Sequence, residues 1–197
     1  MKTFSTQEIK DMGIAVVILT LMFNFAFFHS FDLFKLLLSL LIVITSFVFH
    51  ELGHKFMGQR YGCEAYFKLW PQGLLLSLIS VIISIKIPFI FAAPGATVIQ
   101  PKKHARWAFA ETRLTIYELG MISFIGPLIN LIISIIFLPF RFFSYISFIN
   151  SYIAFFNLLP IPPLDGSKVI IWKNWLWLIM IVLSGTIVFY TISSGLI

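Results

Sequence analysis

Apolar residues occur along this chain in long runs that short polar breaks separate. The runs cover residues 13–28, 33–49, 116–140, 145–159 and 172–192. A helix needs about 20 mostly apolar residues to cross the hydrocarbon core of a bilayer, because each residue adds about 1.5 Å along the axis. The pattern therefore predicts an all-α polytopic membrane protein with about five transmembrane helices.

The apolar stretch 74–99 differs from these runs. Lys86 would lie near the middle of a span there, and prolines at positions 88 and 94 interrupt the helical pattern. We therefore expect residues 74–99 to form a re-entrant helix/β-hairpin segment, in which a short helix precedes a more extended leg over residues 87–99. An exposed edge of that leg would suit pairing with an unwound peptide.

The positively charged residues support this topology. If segment 74–99 enters and leaves by one face, all of the 14 lysines and arginines except Lys35 and Arg141 lie on the face of the N-terminus. Six full crossings would instead leave Lys86 inside the membrane and divide the charges almost evenly. Because cytoplasmic loops carry the excess of Lys and Arg, we expect the N-terminus in the cytoplasm and the C-terminus outside.

Composition narrows the class of protein further. The 197 residues are 59% hydrophobic and only 11% charged, against roughly 25% charged residues in ordinary soluble domains. This composition excludes a soluble globular domain, a disordered chain and a fibrous repeat protein. We expect a single integral membrane domain over residues 1–197. The net charge of +6 then marks cytoplasmic loops and does not indicate nucleic-acid binding.

The strongest chemical signal is an HExxH motif at residues 50–54, directly after an apolar run. Positions i and i+4 of a helix share a face, so the imidazoles of His50 and His54 can reach one zinc ion, with Glu51 as general base. Each ionisable side chain inside a membrane helix costs about 2.5–3.5 kcal/mol on insertion scales, and a divalent cation would compensate for three of them. The alternative is a helix end that reaches the headgroups with unrelated polar residues.

A catalytic zinc site needs a third protein ligand and an open position for water. Of the eight acidic residues, only Asp165, apart from Glu51, lies where two apolar segments meet a proline-rich break, at residues 157–166. Its three prolines prevent a regular helix, and unwound backbone at membrane depth needs protein or a wet cavity around it. Asp165 is therefore the candidate third ligand; the alternative is a helix cap in an interfacial loop.

The two motifs together resemble those of the site-2 proteases, a family of intramembrane zinc metalloproteases. That family carries HExxH on one membrane helix and an Asn-x-x-Pro-x-Pro-x-x-Asp-Gly-like segment near the end of a later one. The corresponding segments here are residues 50–54 and 157–166. Because the motifs lie about 115 residues apart, the resemblance covers a large part of the chain and is far more specific than either motif alone.

By this resemblance, His50, His54 and Asp165 hold one Zn²⁺ ion, and Glu51 is the general base. Zinc lowers the pKa of a bound water to about 7 and polarises a carbonyl group. Glu51 would take the proton of that water and pass it to the leaving amine.

Two asparagines are the remaining polar candidates inside the predicted spans. Asn157 opens the second motif, and Asn130 follows Gly126-Pro127 in the intervening span. We predict that both bind substrate through their side-chain amides. The alternative is an interhelical hydrogen bond, typically worth under about 2 kcal/mol.

The predicted function is a zinc-dependent intramembrane endopeptidase of a prokaryotic cell membrane, with its active site toward the cytoplasm. Its partners would be the lipid bilayer and membrane-protein substrates with a locally unwound transmembrane helix, because a regular helix hides its peptide bonds. One alternative is a non-proteolytic zinc protein, either an inactive relative or a transporter, although the clustering of polar groups at one depth argues against transport. Another is a membrane metalloprotease that acts on soluble or lipidated peptides.

Overall fold

The computed structural model describes residues 4–29, 32–84, 93–101 and 114–197. In these ranges the chain is mostly helical, with one small antiparallel sheet of two strands. The elements in chain order are α1 (Thr6–Phe23), α2 (Leu33–Val43), α3 (Phe49–Arg60), β1 (Cys63–Leu69), α4 (Pro71–Ser84), β2 (Gly95–Pro101), α5 (Ile116–Phe137), α6 (Ser144–Asn157), α7 (Gly166–Trp172) and α8 (Asn174–Ser193). The π-helical segment Asn24–Phe28 extends α1, and a second one, Ile44–Val48, joins α2 to α3.

Four helical stretches are long and apolar enough to cross a membrane: Thr6–Phe28, Leu33–Arg60, Ile116–Phe137 and Asn174–Ser193. They correspond to four of the apolar runs in the sequence. This correspondence confirms the prediction of a membrane protein built mainly from helices. The fifth run, 145–159, forms α6, whose 14 residues extend about 21 Å at 1.5 Å per residue. That the chain crosses the membrane five times stays a prediction.

Side-chain caps define where two of the long helices begin. Ser5 accepts a hydrogen bond from the Glu8 N–H at the start of α1, at 3.1 Å. At the start of α5, Thr115 and Glu118 form a reciprocal capping box, in which each side chain accepts the other's backbone N–H. These caps satisfy N–H groups that have no partner within the first turn of a helix.

The two strands form a ribbon in which Phe67 lies opposite Thr97. Buried side chains alternate along β1 at Cys63, Ala65 and Phe67, so one face of the ribbon packs against the protein interior. Gly62, between α3 and β1, has a φ of +76°. Glycine adopts this left-handed conformation without steric strain, so the chain can turn sharply from the helix into the strand.

The ribbon changes the picture of segment 74–99. The first leg is helical, as expected, since it lies in α4, which ends at Ser84. The last residues of the segment lie in β2. The partner of β2 is β1, which precedes the segment, so the described strand pairing differs from the expected hairpin within 74–99. Residues 85–92, which include Lys86, lie outside the described residues, and re-entry from one face stays a prediction.

Helices α3, α5 and α6 pack closely side by side. A Cβ added at Gly53 on α3 would press into the Ile129 side chain of α5, so glycine permits the close approach of these two helices. Between α5 and α6, Ser134 and Ser147 each donate a hydrogen bond to the other's backbone carbonyl at 2.9 Å. This packing brings residues that are far apart in the sequence to the same depth.

Candidate metal centre

Three potential metal ligands from the two sequence motifs meet at one point. His50 and His54 lie one turn apart on α3, and their Nε2 atoms are 3.0 Å apart. The Oδ2 atom of Asp165 lies 3.5 Å from Nε2 of His50 and 3.1 Å from Nε2 of His54. All three ligand atoms lie within 4.8 Å of one another.

The connection between α6 and α7 places Asp165 at this point. Trp177 of α8 donates a hydrogen bond from Nε1 to the Leu158 carbonyl at 2.6 Å, which anchors the start of the connection. A Cβ added at Gly166 would overlap the same carbonyl group, so the chain needs glycine directly after Asp165. The proline-rich segment therefore returns to α6 in a tight turn that presents the carboxylate to α3.

Contacts on the far side of each imidazole orient the ring. Nδ1 of His54 lies 2.7 Å from the backbone carbonyl of Ile122, and a carbonyl oxygen only accepts, so this nitrogen carries the proton. Nδ1 of His50 lies 2.6 Å from Oδ1 of Asn130. With protons on both Nδ1 atoms, both Nε2 atoms offer a lone pair to the shared centre, which is the arrangement that metal-binding histidines require.

Helix α5 approaches the two imidazoles closely at Gly126. A Cβ added there would overlap Nε2 and Cε1 of His54 and crowd Cε1 of His50. The space between α5 and the two imidazoles therefore admits only glycine at position 126, and any larger residue would displace the rings. Two imidazole nitrogens and one carboxylate oxygen are a donor set that catalytic zinc sites use, with a fourth position left for water or substrate. The residues present thus fit a zinc ion.

Glu51 lies next to the ligands on α3 and is held by the ribbon. Its Oε2 atom accepts a hydrogen bond from the backbone N–H of Thr97 at 2.8 Å and another from the Thr97 hydroxyl at 2.7 Å. Two donors from one residue of β2 fix the direction of the carboxylate. The sequence carries no recognisable signal for Thr97, because the contact depends on how the ribbon docks against α3.

The two predicted substrate-binding asparagines occupy different surroundings. Asn130 is fully buried, and its amide nitrogen donates to the Ser46 carbonyl at 2.7 Å while its oxygen faces His50. Asn157 donates to the Ile153 carbonyl of its own helix at 3.0 Å and lines an apolar cavity of about 370 Å³ between α1, α6 and α8. In this structure Asn130 holds the imidazole of His50, a candidate metal ligand. Contact of either asparagine with substrate stays a prediction.

Comparison with known proteins points to the same chemistry. The chain is 34% identical over 190 residues, 90% of its length, to a protein of Methanocaldococcus jannaschii named "putative zinc metalloprotease", and it covers 90% of that protein. No protein-family profile and no solved structure matches the chain. The relative and the group of His50, His54 and Asp165 together support a zinc cofactor.

Proposed function

The chain belongs to the zinc metalloprotease family of its Methanocaldococcus jannaschii relative, and from this premise we propose that it is an intramembrane endopeptidase of the site-2 protease type. The observation that carries the proposal is that His50 and His54 lie within a helix of 28 residues apolar enough to cross a membrane, where Asp165 meets them. A metalloprotease whose ligands lie on such a helix is suited to substrates that are themselves in the membrane.

Nε2 of His50, Nε2 of His54 and Oδ2 of Asp165 would hold the zinc ion. Zinc in such sites supplies polarisation of the scissile carbonyl and activation of water near neutral pH. Glu51, which is buried, acts as general base: its carboxylate takes the proton of the attacking water and gives it to the leaving amine. Thr97 holds one carboxylate oxygen, so the base is aimed before the substrate arrives.

The outer edge of β2 is the proposed docking place for the substrate backbone. In the antiparallel pair Phe67 and Thr97, neither N–H points to the other strand: the Phe67 N–H donates to Glu8 and the Thr97 N–H to Glu51. Glu8 of α1 thus occupies a donor on the outer edge of β1, and Glu51 occupies the Thr97 donor on the outer edge of β2. A substrate backbone would therefore pair with the backbone groups on either side of Thr97 along the outer edge of β2. An unwound substrate segment that adds to this edge would run alongside Glu51.

The substrate is therefore proposed to be a membrane protein whose transmembrane helix unwinds locally. The test uses the purified protein with two designed transmembrane peptides, one a regular leucine helix and one with a central Gly-Pro break. We expect cleavage near the break and none in the regular helix. Cleavage of a soluble extended peptide, but of neither membrane peptide, would favour a protease for soluble substrates.

Zinc content and cleavage are measured together for Asp165→Asn, with Asp32→Asn and Glu64→Gln as matched controls. Asp32 caps α2 and Glu64 lies on the exposed side of β1, so neither control touches the site. We expect the Asp165 variant to lose zinc and most activity and the controls to keep both. A wild-type protein that binds zinc and cleaves no peptide would support the non-proteolytic alternative.

The proposed orientation places the site toward the cytoplasm. In a Cys63→Ala background, single cysteines at Lys10, Lys103, Arg141 and the C-terminus are probed on intact cells with a membrane-impermeant thiol reagent. We expect labelling at Arg141 and the C-terminus only. Labelling at position 103 would overturn the re-entrant topology, because that position would then lie outside.

A further inference from the structure

Two buried amides connect α6 to the first metal ligand. Asn130 and Asn150 are both fully buried. The amide nitrogen of Asn130 donates to Oδ1 of Asn150 at 3.1 Å, and the oxygen of Asn130 lies 2.6 Å from Nδ1 of His50. The polar atoms therefore follow one another in a fixed order from α6 through α5 to α3.

The direction of this order decides which nitrogen of His50 carries its proton. A side-chain amide has a donor end and an acceptor end, which differ only by a rotation of the group. If the Asn130 amide were turned around, its NH₂ group would face Nδ1 of His50, and that nitrogen would have to accept. The proton would then lie on Nε2, the atom that faces Asp165, and the imidazole would offer no lone pair there.

The far end of the chain of amides is fixed by a backbone carbonyl and by a hydroxyl whose proton is already used. Nδ2 of Asn150 donates to the Ile146 carbonyl at 2.9 Å and lies 3.4 Å from the Thr45 hydroxyl. The Thr45 hydroxyl itself points its proton at backbone carbonyls one turn earlier, those of Leu41 and Ile42, so its oxygen is left to accept. Asn150 must therefore turn its own oxygen toward Asn130.

The Ser46 carbonyl acts in the same direction. It accepts from Nδ2 of Asn130 at 2.7 Å, and it lies in the π-helical segment Ile44–Val48, where the regular i→i−4 hydrogen bonds are interrupted. A reversed Asn130 would place its oxygen against this carbonyl and against the Asn150 oxygen. Between fully buried groups, such contacts between acceptors are costly.

We propose that Asn150 is a positioning residue that selects the metal-binding tautomer of His50 by fixing the orientation of Asn130. The proposal rests on the function proposed above, since it assigns His50 to a zinc site. The hydrogen bonds of Asn150 go to Asn130, Thr45 and Ile146 and not to His50, His54 or Asp165. Asn150 therefore acts through Asn130, together with the Ser46 carbonyl. Loss of Asn150 alone therefore removes one of two restraints on the Asn130 amide.

Ser147 supplies a matched control, because it lies one turn from Asn150 on the same helix. Ser147 and Ser134 join α6 to α5 through their backbone carbonyls, as Asn150 and Asn130 join them through their amides. Ser147→Ala thus weakens the same helix interface without a link to His50. A purely structural role for Asn150 would make Asn150→Leu and Ser147→Ala similar in their effect on metal binding.

The experiment measures Co²⁺ affinity and the cobalt absorption spectrum of the full chain in detergent. We expect Asn150→Leu to bind Co²⁺ about tenfold more weakly and to show an altered spectrum. A tenfold loss lies at the lower end of the range for substitutions of residues that orient metal ligands. Asn150→Asp keeps an oxygen opposite Asn130, and its neutral acid form keeps a donor for the Ile146 carbonyl, so this variant should restore both. Ser147→Ala should match the wild type. Wild-type affinity and spectrum in Asn150→Leu would overturn the proposal, as would a loss in Ser147→Ala equal to that in Asn150→Leu.

A second measurement needs no substitution. Nitrogen-15 chemical shifts of the metal-free wild-type protein report the tautomer of His50 directly. We expect the neutral ring to carry its proton on Nδ1; a proton on Nε2 contradicts the proposal. If the wild type binds neither Zn²⁺ nor Co²⁺, the proposed function fails, while the tautomer still decides the role of the amides.

Discussion

Helix α3 carries two buried polar faces that are completed in different ways. On one face, two imidazole nitrogens of His50 and His54 and an oxygen of Asp165 point at a common centre, an arrangement that a cation completes. On the neighbouring face, the Lys55 ammonium lies 2.6 Å from both carboxylate oxygens of Glu8, so the chain supplies both charges itself. One face is built to receive a ligand, and the other holds the protein together.

The second face fixes the ribbon that the first face needs. Lys55 and Glu8 are only 2% and 3% exposed, and Glu8 also accepts the Phe67 N–H at 3.0 Å. Asp11, one turn further along α1, accepts the Leu69 N–H at 3.1 Å. These contacts tie α1 and α3 to β1, and β1 in turn sets the position of β2 beside Glu51, the proposed general base. The candidate metal ligands and the contacts that place the ribbon thus lie on separate faces of one helix, so they should respond to different substitutions.

The largest expected effect separates two roles within the metal face. We expect His54→Ala to lose zinc and cleavage together, because one of three ligands is gone. Glu51→Gln should keep zinc and slow cleavage by about 10²–10⁴-fold, the range for loss of a general base. Metal analysis and peptide cleavage of both purified variants check this, and full activity in Glu51→Gln would refute the mechanism.

A smaller effect tests the close approach of α5 to the two imidazoles at Gly126. Gly126→Ala places a methyl group against the imidazoles of His54 and His50. We therefore expect zinc affinity to fall by about 10–100-fold, the range for substitutions that disturb the residues orienting metal ligands. Gly13→Ala is the control, because none of the described residues comes within 4 Å of the added Cβ. Competition with a chelator measures both variants; equal affinities would mean that α5 moves aside at no cost.

The second face should show its effect in stability rather than in metal binding. Lys55→Met leaves Glu8 as an unpaired buried charge, which typically costs about 3–5 kcal/mol. Adding Glu8→Gln removes that charge and keeps an oxygen for the Phe67 N–H, so the double variant should recover most of the loss. Unfolding in mixed detergent micelles measures the free energy, and a metal titration of the folded protein should match the wild type. A weakened zinc site in folded Lys55→Met would show that the two faces are not separable.

The smallest expected effect lies where the two faces meet, at the contact between Thr97 and Glu51. Thr97→Val removes the hydroxyl donor and keeps the backbone N–H that also holds the carboxylate. We therefore expect the barrier to cleavage to rise by about 1 kcal/mol, the net contribution of a typical hydrogen bond. Zinc content should not change. Thr186→Val on α8 is the control, since that hydroxyl bonds only its own helix among the described residues. A kcat equal to that of the wild type would show that Thr97 does not aim the base.

Much of the site could be read from local patterns. The helical period places His50 and His54 on one face, and the proline-rich break marks Asp165 as the acidic residue at a junction of apolar segments. The strand β1 was missed, although Cys63, Ala65 and Phe67 alternate with more exposed residues along it. An alternation over seven residues is too short to identify a strand by itself, and only the distant partner strand β2 makes it meaningful.

Composition and helical period predicted a membrane protein, four of its helical spans and the candidate metal ligands, because both are properties of neighbouring residues. The tertiary structure decided which groups support them: His50 meets Asn130, 80 residues away, and Lys55 meets Glu8, 47 residues away. Such pairs depend on how closely α3, α5 and the ribbon pack, and on which backbone groups a π-helical segment leaves available. No local pattern encodes those distances, since a buried polar group finds its partner only once the helices around it have excluded water.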